Sequence, residues 1–228
     1  MESIPGWVLV GVATLLAPVG AFALAWATER MNKRSAGLAR LGGAWVEVAV
    51  RERQMPRGAD LVVAPVATDL RMAAGIAKWV RDATANAAQK AADAAGSAAR
   101  GTAILAPGGR YRFRNSALAV VLDDAKRFSV ADVQSALEAA LRAGREVGAR
   151  TAVLPDLVDD LMRQSLTVTL EDRRDLARLL APAVVAAAAG AGALGYTSVT
   201  LWVYRSGVED IYAGALLAAE AAALPAAA

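Results

Sequence analysis

Hydrophobic and polar positions follow a period that changes repeatedly along this chain. From Trp7 to Ala27 nothing is charged (WVLVGVATLLAPVGAFALAWA), and Glu29, Arg30, Lys33 and Arg34 follow at once. A helix over this run extends about 30 Å, the thickness of a bilayer's hydrocarbon core. Trp7 and Trp26 stand near its ends, where amphipathic rings favour the headgroup zone, and basic residues flank only the C-terminal side. The pattern predicts a transmembrane helix over 7–27, a short extracytoplasmic N-terminus over 1–6 and a cytoplasmic remainder. A cleavable signal peptide is the rival reading. It calls for positive charge before a shorter apolar run of roughly 7–15 residues, the reverse of the order here. Ala13, Ala17, Ala21 and Ala25 recur every fourth residue, a stripe along which another membrane helix could pack closely. In so Ala-rich a chain that spacing also arises by chance.

Beyond a basic juxtamembrane linker over 28–43, AWVEVAV (44–50) alternates as a strand does, and DLVVAPV (60–66) is a short buried-strand run. Residues 69–100 are Ala-rich and predict one continuous helix ended at Gly101. TAILAP (102–107) and ALAVVLDD (117–124) predict two further strands around PGGRYRFRNS. Over SVADVQSALEAALRAGREVG, Val133, Leu137, Leu141 and Val147 share one helical face, and Ser129 with Asp132 resembles a capping box. TAVLPDL (151–157) predicts a fifth strand. Thr169 is placed to cap a helix through DRRDLARLL, with Pro182 expected to break or kink it. TSVTLWVY (197–204) predicts a sixth strand, and Ser206 with Glu209 a capping box opening a last helix to about Ala223. Residues 179–204 are uncharged and long enough to span a bilayer; a buried helix followed by a buried strand accounts for them equally. Strands alternating with helices predict an α/β fold: a three-layer mixed sheet flanked by helices, over 44–223, with a tail over 224–228.

Composition narrows the chemistry. The chain has no cysteine and no histidine, which removes disulfides, thiol nucleophiles, Ser-His-Asp triads and the usual zinc ligand sets. The formal net charge of +3 is concentrated after the apolar run, at Arg30, Lys33, Arg34, Arg40, Arg51, Arg53 and Arg57. Attraction to anionic lipid explains that cluster better than nucleic-acid binding, because no stretch interleaves the few aromatics with it. Asp156, Asp159 and Asp160 are carboxylates suited to Mg²⁺ or Ca²⁺, but their spacing matches no metal loop, and solvation of a helix start is the plainer reading. Neither a metal nor a cofactor is expected. In PGGRYRFRN, Arg110, Arg112 and Arg114 alternate with Tyr111 and Phe113. On an extended segment the arginines share a face and form a candidate contact surface for phosphate, headgroups or an acidic partner; the alternative is a solvated loop with its aromatics packed inward.

The order of elements and several strings (WVEVAV, ADLVVAPVATDL, AAGIAKWVRDA, GTAILAPGGRY, VTLWVY) resemble the macro domain, the fold that binds ADP-ribose, over about residues 44–222. The resemblance implies a ligand cleft built from Glu52, Asp69, Gly75 and Asp156. It also implies departures from the family pattern. Where active members carry an Asn-Ala-Ala-Asn type loop, this chain has Ala64-Pro65-Val66-Ala67. The first phosphate loop, Leu70 to Gly75, keeps one glycine, and the second, Pro155 to Asp160, carries three aspartates that would repel a pyrophosphate. The expectation is a non-catalytic, membrane-anchored accessory or scaffold subunit with a degenerate macro-like domain, in contact with lipid and with a membrane-protein partner through the anchor. The alternative is a membrane-tethered module that binds ADP-ribose or another nucleotide.

Overall fold

A computed structural model describes residues 34–50, 58–109, 113–164 and 173–223. The proposed membrane helix over 7–27, with Ala13, Ala17, Ala21 and Ala25, lies outside the described residues, as do Glu52, Arg110, Arg112, Thr169 and the 224–228 tail. No helix among the described residues is long and apolar enough to cross a membrane.

Seven strands form one sheet: β1 (Arg34–Leu41), β2 (Ala44–Val50), β3 (Ala59–Ala67), β4 (Ala103–Pro107), β5 (Phe113–Leu122), β6 (Thr151–Pro155) and β7 (Ser198–Val203). Their order across the sheet is β1-β2-β7-β6-β3-β5-β4. The pairs β2–β7, β7–β6, β6–β3 and β3–β5 are parallel, and β4 is antiparallel to β5. The mixed sheet is therefore as expected, with one strand more. Residues 34–41, expected within the linker, form β1, because Gly42 and Gly43 both take positive φ (54° and 97°) and turn the chain in two residues back along its neighbour.

The central strands are apolar on both faces. In β3, Leu61, Val63 and Ala67 face one core while Val62, Ala64 and Val66 face the other, which is why the strand reads as a continuous apolar run rather than an alternation. On the first face lie α3 (Val130–Glu146), α5 (Arg173–Gly190) and α6 (Glu209–Ala223); on the second lie α1 (Gly75–Ala83) and α2 (Ala87–Ala95). A short α4 (Val158–Gln164) follows β6 and touches both α1 and α5. Ser129 caps α3 as expected, its hydroxyl accepting the Asp132 N–H at 3.1 Å.

Several expectations are corrected. The continuous helix over 69–100 is instead two short helices behind an irregular loop, Thr68 to Ala74. Ala85 and Asn86 adopt left-handed φ (48° and 67°), and the Thr84 hydroxyl accepts the Ala88 N–H at 3.1 Å to start the second. Pro182 does not break α5. It lies on the exposed side of the helix, where water can solvate the carbonyl left without its N–H. The Glu209 carboxylate accepts the Gly207 N–H at 2.5 Å, and α6 begins at Glu209 rather than directly after Ser206. The uncharged stretch 179–204 resolves into the end of α5, a turn and β7, the helix-then-strand alternative.

Candidate functional site

Strands β7, β6 and β3 lie side by side and run parallel, so their carboxyl ends open on one rim of the sheet. Rims of this kind are where open α/β sheets hold ligands. A cavity of about 240 Å³ lies there, lined by Gly75, Ile76, Lys78, Trp79 and Asp82 from α1, by Asp159, Asp160 and Arg163 from α4, and by Tyr204 beyond β7.

The most informative contact in this cavity is between the two expected phosphate loops. Gly75 opens α1 with φ +58°, and a Cβ there would overlap Asp160 Oδ1 and lie 2.7 Å from its Cγ. The next amide, Ile76 N–H, donates to Asp160 Oδ1 at 3.0 Å. The single retained glycine thus lets a carboxylate of the second loop seat itself on the first turn of α1, where the helix dipole and free N–H groups favour negative charge. Asp160 is 4% exposed. Burial pushes its carboxyl up to about 6, against the opposing effects of the Ile76 hydrogen bond and of Arg163.

Asp156 lies beneath this pair, 2% exposed. Its Oδ1 accepts the Val158 N–H at 3.1 Å and its Oδ2 the Tyr204 N–H at 3.4 Å, while its backbone carbonyl accepts the Tyr212 hydroxyl. Burial, reinforced by the charges of Asp159 and Asp160, raises this carboxyl to about 7. Asp159 is neutralised differently: Arg173 reaches it at 3.3 Å and Arg205 at 3.8 Å. The three aspartates therefore have three separate structural partners. Among the described residues no group of acidic side chains is arranged to hold a metal ion. The rest of the wall is aromatic and mixed in charge. Trp79 packs toward Phe113 with ring centroids 6.2 Å apart, and Tyr204 meets Trp202 edge-on at 5.6 Å. Lys78 and Asp82, both in the lining, pair with each other at 2.6 Å.

Of the expected cleft residues, Gly75 lines the cavity, Asp156 does not line it but accepts the N–H of Tyr204, which does, and Glu52 lies outside the described residues. Asp69 does not line it; its carboxylate accepts the Arg71 N–H at 3.2 Å and pairs with Lys126 at 3.5 Å, bracing the β3 exit loop. Ala64 to Ala67, matched to the amide-bearing loop, are buried strand residues paired with β5. The loop that leaves β3 is Thr68 to Ala74, which also carries no Asn or Gln. Arg114 is exposed and pairs with Asp60 at 3.5 Å. It sits at the amino end of β3, opposite the cavity, while Phe113 is buried as the inward-packed alternative requires. The sequence reading assigned no role in the cleft to Lys78, Trp79, Arg163 or Tyr204. Tyr204, an aromatic at the end of the expected strand 197–204, and Trp79, an aromatic within the expected helix, were the signals available.

No protein-family model and no curated protein matches the sequence. Solved structures do match the fold. A macrodomain of Oceanobacillus iheyensis solved with ADP superposes with a TM-score of 0.61 at 13% identity, over 82% of this chain and 96% of that one. The same macrodomain with MES bound gives 0.58 at 12% identity, over 82% and 97%. A Trypanosoma brucei macrodomain gives 0.51 at 10% identity, over 72% and 65%. The seven-stranded sheet and its helices are thus a macrodomain fold.

Proposed function

We propose that this chain is a membrane-tethered, non-catalytic module that binds a nucleotide of the ADP-ribose type. The observation that carries the reading is the cavity where α1, α4 and the exit of β7 converge, with the Ile76 amide already holding an anion at 3.0 Å. Such an amide at a helix start is the natural partner of a phosphate, and Trp79 and Tyr204 offer apolar faces to a ring or ribose. The fold neighbour solved with ADP is consistent with a ligand of this chemical class. The tether rests on the uncharged run over 7–27. The absence of catalysis is argued from the loop Thr68 to Ala74, which offers no amide to orient a ribose, and from Asp156, whose carboxylate oxygens are both occupied by backbone amides. A second reading, a scaffold subunit with no ligand at all, is favoured by the buried carboxylates Asp156 and Asp160, which crowd the place a diphosphate would take.

The test is calorimetric titration of ADP-ribose into the full chain in mild detergent at pH 6. Saturable binding in the micromolar range, with no turnover of an ADP-ribosylated peptide, is the expected outcome. No heat up to millimolar ligand from a folded sample would overturn the binding reading and leave the scaffold, which would then co-purify with a membrane complex.

A further inference from the structure

The Asp160 carboxylate makes the contact that a ligand's phosphate would need. It accepts the Ile76 N–H at 3.0 Å, and the absence of a Cβ at Gly75 gives it room. It comes from another segment, 84 residues away in the sequence, on the short helix α4. Cap and cavity are thus contributed by different pieces of chain. We propose that Asp160 is an internal gate on this cleft, so that a ligand phosphate takes the Ile76 amide only when Asp160 is protonated and nucleotide binding strengthens as the pH falls. This rests on the nucleotide-binding reading above and adds its regulation.

The neighbouring charges favour Asp160 as the group that responds. From α1, Lys78 and Asp82 face the cavity but neutralise each other at 2.6 Å. From α5 and from the segment after β7, Arg173 and Arg205 are directed at Asp159. On α4 itself Arg163 and a Gln164 hydrogen bond favour the Asp160 carboxylate while the Asp159 charge opposes it, and Arg163 keeps its charge throughout the range. Asp156 accepts from the Val158 and Tyr204 amides rather than from Ile76. Burial and the charges of Asp159 and Asp160 raise its carboxyl to about 7, so it titrates in the same range, and Asp156→Asn separates the two groups. The ligand's diphosphate is fully ionised at all the pH values concerned. Removing the charge of Asp160 abolishes its own repulsion of that diphosphate and weakens the acceptor that competes for Ile76, while Arg163 remains to face the anion. With the carboxyl titrating at about 6, about 1% of the protein is competent at pH 8 and about three quarters at pH 5.5. Apparent affinity scales with that fraction, giving roughly a 75-fold gain.

The experiment is calorimetric titration of ADP-ribose, whose diphosphate diester keeps the same charge throughout, into the full chain in detergent at pH 5.5, 6.5 and 8. It is run on the wild type, Asp160→Asn, Asp160→Ala and Asp156→Asn. The expected result is wild-type affinity that strengthens more than tenfold on acidification. Asp160→Asn and Asp160→Ala should bind at every pH as the wild type does at pH 5.5, and Asp156→Asn should keep the wild-type slope. Binding that is equally strong at all three pH values in the wild type overturns the gate and leaves the binding reading standing. A slope that vanishes in Asp156→Asn and survives in the Asp160 variants overturns it in favour of the deeper carboxylate. No binding by any variant at any pH overturns both the gate and the reading beneath it.

Discussion

Replacing Asp156 by Asn should make this protein more stable at pH 8 and leave it nearly unchanged at pH 5. The carboxyl is 2% exposed, and burial together with Asp159 and Asp160 raises it from 3.8 to about 7. A folded-state value above the unfolded one means that the native state binds the proton more tightly. Stability is then fullest below about pH 4 and is lost as the pH climbs through 7. Each tenfold difference in proton affinity between the folded and unfolded chain is worth about 1.4 kcal/mol. Relative to a side chain that does not titrate, Asp156 therefore costs the fold about 4 kcal/mol at pH 8 and about 2 kcal/mol at pH 5. Asn keeps an acceptor for the Val158 N–H but gives up the 3.4 Å bond from Tyr204 N–H, a loss of about 1 kcal/mol. The net expectation is a gain of about 3 kcal/mol at pH 8 and of about 1 kcal/mol or less at pH 5. Urea unfolding of the full chain in mild detergent, followed by the fluorescence of buried Trp202, reads both values. The wild type should lose stability between pH 5 and 8, and the variant should keep only the smaller decline contributed by Asp160. A wild type more stable at pH 8 than at pH 5, or a variant weaker than wild type at pH 8, would refute the reasoning.

Two further outcomes are expected. Gly75→Ala should destabilise by about 3 kcal/mol, since it combines positive φ with a Cβ overlapping the Asp160 carboxylate; adding Asp160→Gly should recover part of that loss in a double-mutant cycle measured by urea unfolding. Ser129→Ala should cost about 1 kcal/mol through the lost cap on α3, visible as a shift in midpoint with no change in slope.

How much of this was legible depended on whether the signal was local. The buried strands announce themselves because VVAPV and LAVVL have no polar position to hide, and α3 because its cap and apolar face agree. The two-helix break at Ala85 and Asn86 was obscured by Ala-rich sequence on either side, where helix propensity is high whatever the fold does. Strand β1 went unread because RSAGLARL has weak alternation, and its pairing depends on a glycine turn and on packing against α6, where Gly37 meets Ala213. At the site, the sequence showed three aspartates and one glycine but not that they touch. Repulsion of a phosphate by acidic residues could be anticipated from their number. That one of them occupies the Ile76 amide, another pairs with Arg173 and Arg205, and the third serves the backbone required the juxtaposition of α1 with α4.

The position of β7 bears on how the chain is made. Strand β2 has only β1 and β7 as neighbours in the sheet, so the β1–β2 hairpin joins the rest of the sheet through the strand that comes last among the described seven. A nascent chain that has not yet emerged past Val203 holds β1 and β2 without a partner, and the cleft without Tyr204 or the Tyr212 hydroxyl. Productive folding of this domain therefore waits until the chain past Val203 has left the ribosome. A truncation before Ser198 would remove the strand that bridges both halves of the molecule, and not merely trim its end.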